Sequence, residues 1–422
     1  MSSPPTTYFL ETLGCPKNQV DSDKLEGTLL ADGLRAVDAA DEADVVVVNT
    51  CAFIDEARQE SIETILALSD QRRDGARLVV TGCLAERHGD ELAAELPEID
   101  QIAPFGAALA TGATAVPVSL GPTRRAPDFD LLNLPRPTAV RPWAYVKIAE
   151  GCDRACGFCA IPTFRGPQRS RSVEQILAEV DQLQAREVVL VAQDLAAFGR
   201  DQGVGERRII PLVEAIAERV EWVRLLYLYP SDLSDALIDT ICATGVPYFD
   251  LSLQHVSRPL MRRMRRWGDG ERFLTRIEAI RDREPTAAFR SNFIVGYPGE
   301  TEADHDALLD FVASAELDWC GFFAYSPEAG TYAMELDGAV EPALRDERLA
   351  ELRELQDDIT AAKRDLLVGS EVRVLVDETG VARSHHEAPE IDGVIQVPDT
   401  LTVGEFHDVT VTAALGPDLE AS

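Results

Sequence analysis

The sequence is poor in positive charge and lacks any long apolar run. It carries 40 Lys and Arg against 73 Asp and Glu, a formal net charge of −33. This deficit argues against a general nucleic-acid coat protein, whose phosphate contacts require Lys and Arg. No apolar stretch approaches the roughly 18 residues that a membrane span needs, and the opening MSSPPTTYFL lacks the basic and apolar regions of a secretory signal. We therefore expect a cytoplasmic protein with no membrane partner.

Cysteine is scarce, with eight in 422 residues, and we see no internal repeat or low-complexity tract. In a reducing cytoplasm, cysteines in a large chain point to metal binding or catalysis before disulfides. Apolar residues make up 45% of the chain, which is ample for packed cores. At about 100–200 residues per domain, the length suggests two to four domains.

The first part of the chain, residues 1–120, alternates strand-like and helix-like patterns. This order is typical of a parallel sheet covered by helices. Residues 121–142 contain five prolines, a density that stops helices and central strands and predicts a linker. The predicted elements of the first domain are the strands Tyr8–Leu13, Asp44–Asn49 and Arg77–Thr81 and the helices Asp21–Ala31, Asp55–Leu68 and Ala85–Leu96.

The remaining chain divides into an α/β part over 143–368 and a small all-β module over 369–422. The first part has six strand-like runs, which predict a partial TIM-like barrel, with helix starts at Ser172 and Thr301. Its last helix, Glu341–Val368, is charged and amphipathic, and the module after it alternates with period two. The six predicted barrel strands are Ala144–Ile148, Glu187–Ala192, Trp222–Leu228, Tyr248–Leu253, Ala288–Val295 and Trp319–Ala324.

One group of cysteines forms a C-x3-C-x2-C motif, consisting of Cys152, Cys156 and Cys159. Three thiolates within eight residues can ligate one soft metal centre. A structural zinc would want a fourth ligand, and the next Cys or His is the distant Cys242. Three ligands on a four-iron cluster would leave one iron open for a substrate or cofactor.

A second group is dispersed, with Cys15, Cys51 and Cys83 each just beyond a predicted strand. Loops at the carboxyl ends of parallel strands line the binding crevice of such sheets, so three cysteines there can meet at one point. The alternative is that they are simply buried, as cysteine often is. We expect Cys242 and Cys320 to be core residues of this kind.

These motifs make the chain resemble the radical S-adenosylmethionine (SAM) methylthiotransferase family over almost its whole length. The C-x3-C-x2-C motif with Phe158 before its last Cys is the radical SAM signature. Within the family, the local motifs resemble the branch that modifies a ribosomal protein. The matching stretches are Thr12–Asn18 with Asp21-Ser22, Glu150–Cys152, Phe293–Glu300, and Tyr325–Glu328 with Gly330-Thr331.

The resemblance implies an aspartate methylthiotransferase with two four-iron (4Fe-4S) clusters. Cys152, Cys156 and Cys159 would hold the radical SAM cluster, and Cys15, Cys51 and Cys83 an auxiliary cluster that donates sulfur. One SAM would give a 5′-deoxyadenosyl radical and a second would supply the methyl group for the β-carbon of an aspartate. Candidate SAM contacts, some of them polar groups at predicted strand ends, are Phe158, Gln193, Asp194, Gln254, Gly296 and Glu300.

The implied substrate is ribosomal protein S-twelve of the small subunit, free or within the assembling subunit, with an electron donor and a sulfur source as further partners. The C-terminal module resembles a TRAM domain but has two basic and eleven acidic residues over 368–422, which favours a basic protein over tRNA. The acidic residues could instead merely aid solubility. The alternatives are a tRNA adenosine methylthiotransferase acting beside the anticodon, an iron–sulfur carrier and a zinc-stabilised scaffold.

One feature points towards RNA. Arg262, Arg263, Arg265 and Arg266, followed by Trp267, form a local basic and aromatic patch. Such a patch can touch RNA, although a run of charge is more often a solvated helix face. It could also pair with the acidic domains.

Overall fold

The computed structural model describes residues 6–105, 107–109, 130–203 and 208–422. Residues 110–120 of the predicted first domain and 121–129 of the predicted linker lie outside the described residues. The predicted division into three domains and a linker stays a prediction. The chain separates into two compact units. The N-terminal unit comprises Met1–Thr138, Ala149–Arg154 and Ala160–Gln175, and the C-terminal unit comprises Ala139–Ile148, Ala155–Cys159 and Ile176–Ser422.

The core of the N-terminal unit is a five-stranded parallel sheet with the order β2-β1-β3-β4-β5. Its central strand β3 consists of four valines, Asn and Thr, all of them buried, as expected of a parallel strand with both faces covered. The edge strands are two and three residues long, too short for a sequence pattern. The elements are β1 (Thr7–Thr12), α1 (Pro16–Ala31), β2 (Arg35–Ala36), β3 (Val45–Thr50), α2 (Asp55–Gln71), β4 (Arg77–Gly82), α3 (Cys83–Glu95) and β5 (Gln101–Ala103).

Helix α1 begins five residues before the predicted start at Asp21. Pro16 occupies one of its first positions, where the missing N–H costs nothing. Cys15 is therefore the residue that caps α1, and Cys83 is the first residue of α3. Two of the three dispersed cysteines thus lie at helix N-termini.

The segment that carries the C-x3-C-x2-C motif contributes to both units. In chain order it contains β6 (Trp143–Lys147), β7 (Ala149–Glu150), α4 (Ile161–Phe164), β8 (Arg169–Ser170) and α5 (Val173–Leu183). Strands β7 and β8 pair antiparallel within the N-terminal unit. At the start of α5, the backbone N–H of Gln175 donates to Ser172 Oγ, so the predicted cap is present.

The C-terminal unit contains the six predicted barrel strands. They form two parallel three-stranded sheets, β6-β9-β10 and β11-β12-β13, linked by a parallel bridge between Leu228 and Leu251. This open, sequential order confirms the partial barrel. The elements are β9 (Glu187–Val191), α6 (Ile209–Ala217), β10 (Trp222–Leu225), α7 (Asp235–Cys242), β11 (Tyr248–Gln254), α8 (Arg258–Arg263), α9 (Gly270–Arg283), β12 (Ala288–Val295), α10 (Glu302–Ala315) and β13 (Trp319–Ala324).

The predicted start of α10 is a complete capping box. Thr301 Oγ1 accepts from the N–H of Asp304, while the Asp304 carboxylate accepts from the N–H of Thr301. The box fixes the turn that leads from β12 into α10.

The chain ends in a closed five-stranded barrel with the order β14-β15-β16-β18-β17. Its interior is filled by the alternating valines that predicted it, among them Val374, Val376, Val409 and Val411. These findings confirm the predicted α/β architecture with a small C-terminal β barrel. The last elements are α11 (Pro342–Asp365), β14 (Glu371–Glu378), β15 (Val381–Arg383), β16 (Ile395–Gln396), β17 (Phe406–Leu415) and β18 (Asp418–Ala421).

A buried ion-pair network joins this barrel to the amino ends of the large barrel's strands. Glu187, at the start of β9, accepts from Arg224 Nε at 2.8 Å and from Arg383 Nη1 at 2.9 Å. Nearby, the Asp392 carboxylate accepts from Tyr248 Oη at 2.6 Å and from Arg290 Nη1 at 2.7 Å. The small barrel is therefore an integral part of the C-terminal unit.

Across the described parts of the chain, no helix combines the length and the apolar character needed to cross a membrane.

Candidate metal centres

The three dispersed cysteines lie at the carboxyl ends of neighbouring strands of the N-terminal sheet. Cys15 follows β1, Cys51 follows β3 and Cys83 follows β4. Gly14 has a φ of +94°, and a Cβ at this position would lie 2.7 Å from Cys51 Cβ and 2.9 Å from Cys51 Sγ. Only glycine therefore lets the loop before Cys15 approach Cys51 so closely.

The pKa values of Cys51 and Cys83 are raised in part by the charges of neighbouring cysteines. Burial, and then the negative charges of Cys83 and Cys15, raises the pKa of Cys51 to about 12. Burial also raises the pKa of Cys83, an effect that the neighbouring Arg165 opposes. Cys15 is the exception, because Lys17, Arg165 and two backbone N–H groups outweigh its burial and lower its pKa.

Two polar side chains organise the space between the thiols. Asn18 is fully buried, and its amide nitrogen donates to the carbonyls of Leu13 at 2.9 Å and Thr50 at 3.0 Å. It ties together the loops that carry Cys15 and Cys51. Arg165 Nη2 donates to Cys83 Sγ at 3.0 Å. Asn18 lies within the Thr12–Asn18 motif, whereas no local sequence pattern singles out Arg165.

The donor set fits an iron–sulfur cluster better than a single ion. No three His, Cys, Asp or Glu side chains among the described residues are spaced as ligands of one metal ion. A four-iron cluster binds each thiolate through a different iron atom, so its ligands need not converge on one point. Buried soft thiolates are the ligands that such clusters select. Cys15, Cys51 and Cys83 could therefore hold a cluster.

The C-x3-C-x2-C loop is held by backbone and side-chain contacts within each unit. Cys152 belongs to the N-terminal unit and is buried, with its Sγ 3.4 Å from the backbone nitrogen of Arg154. In the C-terminal unit, Arg266 Nη1 donates to Cys156 Sγ at 3.3 Å. The N–H of Cys159 donates to the carbonyl of Cys156 at 3.2 Å, forming a tight turn.

Gly157 anchors this turn to the rest of the C-terminal unit. Its N–H donates to the Met264 carbonyl, and its carbonyl accepts from the N–H of Ala333, each at 2.8 Å. A Cβ here would lie 2.7 Å from Tyr297 Oη, so any other residue would require the Tyr297 side chain to shift. The ring of Phe158, a predicted SAM contact, packs against the apolar cluster that contains Met264 and Tyr297.

The other predicted SAM contacts lie at carboxyl ends of strands in the C-terminal unit. Gln193 and Asp194 follow β9, and Gly296 and Glu300 follow β12. Gln254 ends β11 with a φ of +73°, a left-handed conformation that is costly for a non-glycine residue and typical of functional sites. The structure thus places these residues where barrel enzymes bind ligands. Their role as SAM contacts stays a prediction.

The contacts of Glu300 indicate that it shapes its own turn. One carboxylate oxygen accepts from the N–H groups of Gly296 at 2.6 Å and Tyr297 at 3.2 Å. The other accepts from Arg348 at 3.0 Å. Glu300 is buried, and these bonds hold the Gly-Tyr-Pro-Gly turn in place.

The arginine patch is not a free helix face. Arg263 donates to the carbonyl of Pro298 at 2.8 Å, the Arg265 guanidinium lies 3.6 Å from the ring centroid of Tyr332, and Arg266 reaches Cys156. Arg265 has a φ of +54° and lies beyond the end of α8 at Arg263, so the patch does not continue as one helix face. Arg262 is exposed. Three of the four arginines are therefore committed to contacts within the unit, which disfavours the interpretation as an RNA-binding patch.

Three family models match the chain. The match over residues 7–104 is to a family described as Uncharacterized protein family UPF0004. The Radical SAM superfamily matches residues 146–312, and the TRAM domain matches residues 368–422. The second match implies SAM and a four-iron cluster as cofactors.

Curated relatives extend over nearly the whole chain, and three of them share the name ribosomal protein uS12 methylthiotransferase RimO. The relative from Cutibacterium acnes is 41% identical over 98% of this chain and 97% of its own length. The relative from Moorella thermoacetica is 43% identical over 95% of both chains. The relative from Anaeromyxobacter is 42% identical over 98% of this chain and 92% of its own. These matches give no support to the tRNA alternative.

Proposed function

The chain belongs to the RimO family of ribosomal protein uS12 methylthiotransferases, and from this membership we propose that it attaches a methylthio group to the β-carbon of an aspartate in uS12. That carbon carries an unactivated C–H bond, whose hydrogen no side-chain acid or base can readily remove. When bound, the cofactors supply a 5′-deoxyadenosyl radical at one cluster and a methylated sulfur at the other. The protein's own task is to hold, orient and shield them.

Two separate sets of thiolates carry this proposal. Cys152, Cys156 and Cys159 would hold the cluster that binds SAM. Cys15, Cys51 and Cys83 would hold the auxiliary cluster. The observation that supports a second cluster most strongly is the position of the latter three thiols at the ends of β1, β3 and β4. Besides burial, Cys15 and Cys83 raise the pKa of Cys51 there, and Cys15 raises that of Cys83. A radical SAM enzyme that used one cluster would have no need for this second set.

The protein contributes positioning and exclusion of water around the thiols. Asn18 ties the loops of Cys15 and Cys51, and the turn at Gly157 is fixed by hydrogen bonds to Met264 and Ala333. Cys51, Cys83 and Cys152 are buried, which limits access of water and oxidants. The strand-end residues Gln193, Asp194 and Gln254 are the proposed groups that orient SAM.

The charge of the small C-terminal barrel supports a basic protein substrate. Residues 368–422 contain two basic and eleven acidic residues. Arg383 is buried, and so are the acidic side chains of Glu387 and Asp392. The surface therefore combines Arg373 with the other nine acidic residues. Such a surface repels phosphate and attracts a Lys/Arg-rich ribosomal protein. We propose that the reaction takes place in the cytoplasm, on free uS12 or the assembling small subunit, with a cellular electron donor and sulfur source.

The test is to reconstitute the protein anaerobically and incubate it with isolated uS12, methyl-labelled SAM, sulfide and a chemical reductant. Tandem mass spectrometry should locate the labelled methylthio group on one aspartate. Cys156→Ala should abolish formation of 5′-deoxyadenosine. Cys51→Ala should keep SAM cleavage but give no methylthio product.

A matched control is Cys242→Ser, which removes a thiol at the end of α7 that belongs to neither set. It should retain product formation. Methylthio product from Cys51→Ala would contradict the auxiliary-cluster assignment. Absence of 5′-deoxyadenosine from the unaltered, iron-loaded protein would contradict the proposed chemistry altogether.

A further inference from the structure

Arg165 is an enclosed cation beside the candidate auxiliary centre. It directly follows α4 within the N-terminal unit, and its side chain is 2% exposed. Its guanidinium makes four polar contacts, and its face lies 4.1 Å from the ring centroid of Phe105. The four are Nη2 to Cys83 Sγ at 3.0 Å, Nη2 to Asn18 Oδ1 at 2.9 Å, Nη1 to Asp21 Oδ2 at 3.2 Å and Nη1 to Glu150 Oε2 at 2.9 Å.

This environment keeps Arg165 charged. A guanidinium stays protonated throughout the physiological pH range, and the carboxylates of Asp21 and Glu150 both lie within hydrogen-bond distance of Nη1. A buried guanidinium is costly unless its charge is compensated and its donors are used. The two carboxylates compensate the charge and accept hydrogen bonds from Nη1. The burial of Arg165 therefore does not require the contact of Nη2 with Cys83.

The Nη2 side of the guanidinium faces Cys83, a candidate ligand of the auxiliary cluster. Nη2 reaches Cys83 Sγ and the side-chain oxygen of Asn18, the residue whose amide nitrogen ties the loops of Cys15 and Cys51. Hydrogen bonds from a cation to a thiolate are charge-assisted and strong. Hydrogen bonds to the sulfur ligands of an iron–sulfur cluster are among the factors that set its reduction potential.

We propose that Arg165 is a positioning residue of the auxiliary centre, which orients the Cys83 thiolate through Nη2 and raises the reduction potential of the cluster that this thiolate ligates. The inference rests on the proposed function, since it requires a cluster at Cys15, Cys51 and Cys83. A hydrogen bond to a ligand sulfur withdraws electron density from the iron, and a neighbouring positive charge favours the more negative, reduced cluster. The hydrogen bond and the positive charge therefore both raise the reduction potential.

The experiment uses the full chain with Cys156→Ala, so that the auxiliary cluster alone is observed. Iron per chain is measured after anaerobic reconstitution, and the midpoint potential is measured by a redox titration followed by electron paramagnetic resonance. Arg165→Gln removes the charge. Arg165→Lys keeps it but cannot span both the carboxylates and the thiolate. Arg72→Gln is the matched control, because Arg72 lies in the same unit and pairs with Asp100.

We expect Arg165→Gln to disfavour reduction at least tenfold, a shift of about 59 mV to lower potential for a one-electron couple. Arg165→Lys should give a smaller shift of the same sign, and Arg72→Gln should leave the potential unchanged. If Arg165→Gln fails to fold, Arg165→Lys decides the question. An unchanged potential and spectrum in the folded variant would overturn the inference. If the Cys156→Ala parent itself binds no iron, the two-cluster proposal has failed rather than the role of Arg165.

Discussion

Replacing Glu187 with alanine should destabilise the C-terminal unit more than any change at its surface. The Glu187 side chain is inaccessible to solvent, as is that of Arg224, and the Arg383 side chain is 2% exposed. The carboxylate is the shared partner of both guanidiniums, one from β10 and one from β15. Removing this carboxylate leaves two buried guanidiniums, each of which has lost one ion-pair partner.

The expected loss in the free energy of unfolding depends on the partners that Arg224 and Arg383 keep without Glu187. Breaking a buried ion pair by removing one partner costs about 3–5 kcal/mol. Arg383 would keep its bond to Asp377, and Arg224 would keep its bond to the carbonyl of His385 at 2.9 Å. We therefore expect the lower end, a loss of about 3 kcal/mol in the free energy of unfolding. Glu187→Gln should lose less, because an amide oxygen still accepts one hydrogen bond.

The assay is equilibrium unfolding of the metal-free chain in denaturant, followed by tryptophan fluorescence. All four tryptophans, Trp143, Trp222, Trp267 and Trp319, belong to the C-terminal unit. Trp222 lies 4.8 Å from the ring centroid of Phe406, and Trp319 Nε1 donates to the His386 carbonyl at 2.7 Å. The signal therefore reports on the junction between the two barrels.

The control is Asp181→Ala, which breaks the pair of an exposed carboxylate with Arg219. Exposed pairs contribute little, so the change should stay within about 0.5 kcal/mol. If Glu187→Ala lost no more free energy than Asp181→Ala, the network would not hold the two barrels together and the reasoning would be refuted.

Three further predictions concern single positions. Gly14→Ala should lower the iron bound at the auxiliary centre, measured in the Cys156→Ala background, because its Cβ would collide with Cys51; full iron loading would contradict this. Thr301→Ala should cost about 1 kcal/mol in denaturant unfolding, because it removes one bond of the capping box; no loss would show that the turn is held by other contacts. Burial lowers the pKa of His255 from 6.5 to about 4. As the pH falls, His255 is therefore protonated in the unfolded chain before it is protonated in the folded chain. The free energy of unfolding should fall between pH 6.5 and 4 by at most about 1.4 kcal/mol per pH unit. If the free energy of unfolding of His255→Gln fell equally steeply with pH, this assignment would be refuted.

The sequence predicts well those elements whose residues carry a local signal. The four β-branched residues Val45–Val48 predict a strand buried on both faces, and they belong to β3, the central strand of the N-terminal sheet. The Thr301 cap needs only four consecutive residues, and it forms as predicted. The placement of Cys15, Cys51 and Cys83 after three strands follows from the βαβ order, because parallel strands share one carboxyl edge.

What the sequence does not reveal are contacts between residues far apart in the chain. Arg165 lies 82 positions from Cys83 and 144 from Asp21, so no periodicity encodes their meeting. The arginine patch misleads for the opposite reason. Its members are adjacent in sequence and resemble one solvated face. In the structure, however, Arg263, Arg265 and Arg266 contact Pro298, Tyr332 and Cys156, respectively.

The central claim is that this chain modifies an aspartate of uS12. It is tested most directly by competition in one reaction, with the anaerobically reconstituted protein, reductant, sulfide, methyl-labelled SAM, isolated uS12 and tRNA. We predict that the labelled methylthio group is found on a single aspartate of uS12 and that the tRNA carries none. Label on a tRNA adenosine with none on uS12 would contradict the account of the substrate and of the acidic C-terminal barrel.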